Sequence, residues 1–247
     1  MAKKIIALWV LLPALMAFKW ATPPGVVSYP GTLELIYIGP QSLPEAHVDE
    51  VYKVQANGKY FFTFPRVVIP SIQSMFLLQY TGIEKGEDVL DLGTGTGIQA
   101  IFAAQKAHSI LATDLGEQAV KNARFNIKWH KLQNKIQVVR GDLFEPVPKD
   151  RKFDVIINNI DYPFNKKTQF LWEVHERFFR QVKNYMKPQG RIYYQSGWIE
   201  NIQRIHNMAF NNGLFITEMH MVSAVAQNRE PIVFVIRRMH TRRARED

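Results

Sequence analysis

The stretch Val89-Leu90-Asp91-Leu92-Gly93-Thr94-Gly95-Thr96-Gly97 constrains this chain more than any other. An apolar run ends in an acid, glycine then takes every second position, and a helical pattern opens directly behind. That is a strand, a tight turn and a helix N-terminus. Glycines remove Cβ atoms, so a ligand can lie against the backbone. Dinucleotide sites use G-x-G-x-x-G, with pyrophosphate at a helix N-terminus. Here the spacing is G-x-G-x-G and Asp91 precedes it. A carboxylate at that position repels phosphate and suits an ammonium group. The alternative is a bare strand–helix turn, and the residues downstream weigh against it.

Ser109 to Asp114 is a second short apolar run ending in an acid. A carboxylate at that strand tip can accept both hydroxyls of a ribose. Lys135 to Phe144 repeats the pattern, with Asp142 just past the strand. An acid there can accept the amino group of adenine. Acids at three successive strand ends define one crevice. Any one of them is a common accident; all three at these spacings are not.

Residues 60–240 resemble a class I S-adenosylmethionine-dependent methyltransferase. Within that class they look like the subgroup of release-factor glutamine and rRNA or DNA amino-group methyltransferases. The resemblance is carried by Phe64-Pro65-Arg66, by Asp91 to Gly97, and by Asp114 followed by Ala119, Ala123 and Asn126. Gly141-Asp142-Leu143-Phe144-Glu145-Pro146 and Phe153 to Asn159 continue it. It implies S-adenosyl-L-methionine as cofactor. Asp91, Gly93, Thr94, Gly95, Gly97, Asp114, Leu115, Asp142, Leu143 and Asn159 are then the expected cofactor site. The subgroup's fourth strand ends in Asn-Pro-Pro-Tyr, where this chain has Asn159-Ile160-Asp161-Tyr162 and then Pro163. Both prolines are replaced, the second by an acid.

Asn159, Asp161 and Tyr162 are the expected catalytic residues. An amide nitrogen is nucleophilic only when its lone pair is held out of conjugation. A side-chain and a backbone carbonyl can accept its two N–H groups while an aromatic ring stacks on the planar target. Prolines stiffen such a loop. Asp161 does not, but a carboxylate there can act as a general base or grip a cation. The plainer alternative is a solvated acid that caps the following helix.

The coarse pattern is alternating. Strands are expected near 88–92, 109–114, 135–140, 153–159, 191–196, 215–223 and 231–238. Helices are expected near 71–80, 97–107, 117–131, 168–187 and 199–212. In the fourth helix Leu171, Val174, Phe178, Val182 and Tyr185 recur at helical spacing, and Lys187-Pro188-Gln189-Gly190 stops it. Ala224 to Glu230 is too short for a crossover helix, so the last two strands should form an antiparallel hairpin. The expected fold is α/β: a Rossmann-like, seven-stranded, mainly parallel sheet with an antiparallel C-terminal hairpin and helices on both faces. The 247 residues, 47% of them hydrophobic, suffice for one sizeable core.

The ends differ from the middle. Lys3-Lys4 precede an apolar run from Ile5 to Phe18, short for a membrane span. Residues 1–20 read equally as a shallow anchor on an anionic membrane and as a helix packed on the domain or in a dimer. The expected location is cytoplasmic, with the anchor reading placing the chain on the inner face of a membrane. Residues 21–60, with Pro23, Pro24, Pro30, Pro40 and Pro44, read as a proline-rich linker and extension around one strand, Leu33 to Ile38. Residues 61–240 are the methyltransferase domain and 241–247 a basic tail. The net charge is +9. Arg237, Arg238, Arg242, Arg243 and Arg245 cluster near the C-terminus, while Lys121, Arg124, Lys128, Lys131 and Lys135 follow one helix. Nucleic acid, an anionic membrane surface and plain solubility all account for such patches. With no cysteine, disulfides, thiolate zinc sites and cysteine nucleophiles are excluded. The seven histidines show no metal-ligand spacing, no metal is expected, and most are expected at a surface or interface. Two function classes stand: transfer of a methyl group to an amide, amine or base nitrogen of a still unknown acceptor, or cofactor binding without transfer.

Overall fold

The computed structural model describes residues 35–43, 48–163, 166–197, 199–221 and 231–239. The chain opens on β1 (Leu35–Leu43), β2 (Val48–Ala56) and β3 (Lys59–Thr63), an antiparallel three-stranded sheet. It continues through α1 (Ile72–Tyr80), β4 (Asp88–Leu92), α2 (Ile98–Ala103), β5 (Ser109–Asp114), α3 (Glu117–Trp129) and β6 (Ile136–Arg140). Next come β7 (Phe153–Asn158), α4 (Leu171–Val182), β8 (Met186–Ser196), α5 (Ile202–Asn211), β9 (Leu214–Met221) and β10 (Ile232–Arg238).

The large sheet has the order β6-β5-β4-β7-β8-β10-β9. Its first five strands run parallel, and β10 lies antiparallel to both β8 and β9. The expected sheet, hairpin and two helical layers are all present. Neighbouring residues along each strand point to opposite faces. Val89, Ile110, Val155 and Val233 join one core with α1, α2 and α3. Leu90, Leu111, Ile156 and Phe234, each the next residue along, join the other with α4 and α5. Two dry faces explain why the strands read as continuous apolar runs.

The chain steps outward from β4 through β5 to β6, then returns to place β7 on the other side of β4. The carboxyl ends of β4 and β7 are therefore the switch point at which a crevice opens in such sheets.

Two stretches differ from the sequence reading. The helix expected over 168–187 ends at Val182, and a 3-10 turn over Lys183–Tyr185 leads into β8. Pro188 and Gly190 thus lie inside a strand, beside the register shift between Phe153 and Val155, where the ladder tolerates them. The second difference is the small sheet, which occupies part of the expected linker. Its β2–β3 hairpin turns on Asn57-Gly58, both at positive φ, the commonest two-residue hairpin signal. The outer edge of β3 is closed by two amides of α3. Asn126 Oδ1 accepts from the Phe62 amide at 2.9 Å and Asn122 Oδ1 from the Phe64 amide at 2.8 Å. Both Nδ2 groups donate to the Phe62 carbonyl, and Asn126 Nδ2 also reaches the Thr96 carbonyl at 2.8 Å. Strand β3 is thereby tied to the glycine turn.

The apolar run Ile5 to Phe18 and the arginines at 242, 243 and 245 lie outside the described residues. Among the described residues no helix is long and apolar enough to cross a membrane.

Candidate active site

A pocket of about 730 Å³ opens at the switch point. That is within the usual range of about 300–1,000 Å³ for small-molecule sites. Gly93, Thr94, Gly95, Asp114, Leu115, Asp142, Leu143, Asn159 and Asp161 all line it. Nine of the expected site residues therefore meet in one crevice. Asp91, Gly97 and Tyr162 are not among the lining residues.

The turn after β4 is built from the backbone. The amides of Gly93 and Thr94 both donate to the Thr113 carbonyl, at 2.9 and 3.0 Å. Gly93, Gly95 and Gly97 all have positive φ. A Cβ on Gly93 would also lie 2.7 Å from Ile160 Cγ1, so this glycine lets the loop after β7 close onto the turn. Gly97 faces Ala123 of α3 and serves helix packing.

Asp91, whose charge suits an ammonium group, is fully buried beneath the turn. Its Oδ2 accepts from Thr94 Oγ1 at 2.6 Å. Burial pushes its pKa up to about 7, against the Thr94 hydrogen bond; the negative charge of Asp114 adds to the rise. Asp91 braces the turn from behind.

Asp114 and Asp142 stand at adjacent strand ends. Asp114 accepts from the amides of Gly95 at 2.9 Å and Gly116 at 2.8 Å. A carboxylate has about four lone-pair sites, so it keeps capacity for two further donors. Asp142 is held by Arg177 of α4 in a two-point fork, Nη1 to Oδ2 at 2.7 Å and Nη2 to Oδ1 at 3.2 Å. An open glycine turn, two acids and the apolar walls of Leu115 and Leu143 fit a nucleoside that carries a cationic tail. Among the described residues no group of histidines and acids could hold a metal ion.

The far end of the pocket is the loop after β7. Asn159 Nδ2 lies 3.5 Å from Ser74 Oγ of α1. Asp161 is exposed at the rim. Its crowded surroundings hinder ionisation and raise its pKa above the ordinary carboxylate value, and Asp114 adds to the rise. Tyr162 sits away from the pocket wall. Its hydroxyl accepts from Gln73 Nε2 at 3.1 Å and lies 1.6 Å from where a Cβ on Gly197 would stand. The expected stacking ring is thus packed between α1 and the end of β8.

The loop's anchor lies behind it. His175 of α4 is fully buried. Its Nε2 is 3.0 Å from the Asp161 carbonyl and its Nδ1 2.7 Å from the Tyr194 hydroxyl. Burial pulls its pKa down to about 4; the Asp161 carbonyl opposes this and Arg204 adds to it. The ring is therefore neutral at pH 7. A carbonyl only accepts, so Nε2–H donates to Asp161 and Nδ1 accepts from Tyr194.

Arg66, Gln73, Ser74, Phe170 and Arg177 were not expected here. None follows a strand-end pattern. Arg66 belongs to the Phe64-Pro65-Arg66 segment of the resemblance, which assigns it no place in the site.

The sequence pattern of the methyltransferase small domain matches residues 71–216. The ribosomal protein L11 methyltransferase of Geobacillus thermodenitrificans is 34% identical over 142 residues, covering 57% of this chain and 41% of that protein. The chain thus spans less than half the length of that curated relative. Among solved structures, the ribosomal protein L11 methylase of Lactobacillus delbrueckii subsp. bulgaricus is 23% identical with a TM-score of 0.55. It covers 72% of this chain and 84% of that one. The M. jannaschii tRNA m1G37 methyltransferase is 19% identical with a TM-score of 0.62, covering 77% of this chain and 55% of that one. These two likenesses concern the fold alone, which is the one described above. On the match over 71–216, the chain belongs to the methyltransferase small-domain family, and its cofactor is S-adenosylmethionine.

Proposed function

We propose that this chain transfers a methyl group from S-adenosylmethionine to an amino nitrogen of a macromolecular acceptor. The observation that carries this reading is one crevice with two chemically different ends. Asp114 and Asp142 follow β5 and β6 on one side of β4, and Asn159 and Asp161 follow β7 on the other. Asp114 would hold the ribose hydroxyls, Asp142 the adenine amino group, and the backbone of Gly93 to Gly95 the amino-acid end. The bound cofactor supplies a methyl group already activated on a sulfonium. The chain has to align a nitrogen with that carbon and exclude competing geometries.

An amine arrives protonated. Asp161 is placed to attract the cation, and its raised pKa makes it a better proton acceptor than an ordinary carboxylate. Once the proton has left, the nitrogen lone pair forms the N–C bond as the S–C bond breaks. The Asn159 side-chain oxygen can accept a remaining N–H and so orient the lone pair. The amide chemistry of the release-factor subgroup is less well served, because Tyr162 is not on the pocket wall. Exposed Phe170 at the mouth favours a second reading, in which a nucleobase stacks there. The relatives act on a ribosomal protein, by their names, and a neighbouring structure on tRNA. A macromolecular acceptor in the translation machinery is therefore the substrate class to test first.

The experiment is transfer of labelled methyl groups from the cofactor into fractionated ribosomal protein and RNA, with Asn159→Ala as control. Label on an amino group of a protein is the expected result. Label on RNA bases would favour the second reading. Tight cofactor binding with no transfer into any fraction would overturn both and leave a binding protein without transfer activity.

A further inference from the structure

Resting on the cofactor placement proposed above, we infer that Arg177 positions Asp142 for the cofactor's nucleobase and so sets selectivity for a 6-amino purine. Arg177 comes from α4, which packs on the far face of the sheet, yet its guanidinium reaches the pocket wall beside Asp142 and Leu143. The contact is a planar fork, with each terminal nitrogen on its own oxygen at 2.7 and 3.2 Å. Such a fork fixes the carboxylate plane, which a single ammonium contact does not.

Two consequences follow. The fork uses one lone pair on each Asp142 oxygen and leaves one on each to accept from a ligand. Because the carboxylate plane is fixed, those remaining lone pairs have fixed directions, so an amino group on the base has a defined partner. The second consequence concerns solvation. Both side chains are about one-third exposed, at 34% and 36%. A neutral purine laid over Asp142 would strip water from a charge, which is costly when the charge is unpaired. The guanidinium is already in place as counter-charge, so the ring can cover a pair instead of a lone anion. A 6-oxo purine would turn a carbonyl toward carboxylate oxygens that only accept, and would be rejected.

The test is calorimetric binding of S-adenosylhomocysteine and S-inosylhomocysteine to the full chain, which needs no acceptor and no turnover. The wild type should prefer the adenine ligand by about tenfold or more, as expected for one hydrogen bond to a charged group. Arg177→Ala should weaken the adenine ligand by about tenfold and narrow the preference. Arg177→Lys should fall between the two, because it keeps the charge and loses the fork. Asp142→Asn should abolish or invert the preference, since its amide can turn a donor toward a 6-oxo group. Melting curves of each variant separate loss of fold from loss of selectivity. Wild-type affinity and preference in Arg177→Ala would overturn the inference. Asp114→Ala separates the two layers. If it weakens both ligands while Asp142→Asn and Arg177→Ala change nothing, only this inference fails. If all three bind as wild type, the cofactor placement itself fails.

Discussion

The two ends of the crevice are built by different means. At the cofactor end, each residue sits where a strand stops: Asp114 ends β5, Asp142 lies just past β6, and the glycine turn follows β4. Their positions come from local chain geometry, and the parallel register lines them up. At the acceptor end, the loop Asn159-Ile160-Asp161-Tyr162 has no regular structure, and distant elements hold it. Gln73 and Ser74 of α1 contact Tyr162 and Asn159 across 89 and 85 residues of sequence, and His175 grips the Asp161 carbonyl. Ile160 closes onto Gly93 and couples the two ends. A sheet can thus supply a general cofactor crevice, while the acceptor end depends on what packs behind it.

The largest expected effect tests whether the cofactor end carries internal strain. Asp91 is fully buried and its folded pKa is raised, chiefly by burial, from an ordinary 3.8 to about 7. The charged form is therefore the costly one in the folded state. Its stability contribution is fully present below about pH 4 and is lost as pH rises through about 7. Asn is neutral at every pH and keeps an acceptor for Thr94. Asp91→Asn should match the wild type near pH 4 and exceed it by a few kcal/mol at pH 8. Denaturant unfolding of both proteins at the two pH values reads this directly. An equal gap at both pH values would show that Asp91 does not titrate in this window.

Next comes the functional division between the two ends. Asn159→Ala should lower the transfer rate by about a hundredfold or more, as misalignment of a reacting pair does. Cofactor affinity should stay within about threefold, because Asn159 positions the acceptor. Asp114→Ala should do the opposite and weaken cofactor binding by roughly 10- to 150-fold through loss of charged hydrogen bonds. Calorimetry beside single-turnover rates separates them. If both variants lose the same quantity, the crevice is one undivided site and the comparison breaks. Asp161→Asn sharpens it: a base or cation-binding acid would lose most activity, whereas a solvated cap would lose little.

What was legible in the sequence follows the same line. Strand ends, glycine turns and hairpins obey short-range rules, so the acids, the turn and the sheet class could be read directly. Asn57-Gly58 is an equally local signal for the β2–β3 hairpin, but it follows a segment whose five prolines, Pro23 to Pro44, read as a linker. Arg177 and Gln73 could not be read in this way, because nothing local distinguishes them from solvated helix residues. Tyr162 shows the reverse case. Its place in the motif implies a stacking ring, whereas its hydroxyl packs against Gly197, away from the wall.

The smallest effect concerns the anchor of the acceptor loop. The loop lacks the prolines that would stiffen it, and the neutral His175 ring bridges the Asp161 carbonyl and the Tyr194 hydroxyl. Removing the ring's polar atoms leaves the buried Tyr194 hydroxyl and the part-buried Asp161 carbonyl without this partner, and the hydroxyl alone costs about 1–3 kcal/mol before relaxation. The loop can regain part of that by turning its carbonyl to water, at the expense of its position. His175→Phe should therefore slow transfer by about tenfold, lower the melting temperature slightly and leave cofactor affinity unchanged. Tyr194→Phe keeps the Nε2–H donor to Asp161 and should recover most of the rate. The pH profile separates positioning from acid–base work. A ring with a pKa near 4 does not change charge around neutrality, so His175→Phe should scale the rate without moving the profile. A profile that shifts in the variant, or cofactor affinity that falls with the rate, would show that His175 acts beyond holding the loop.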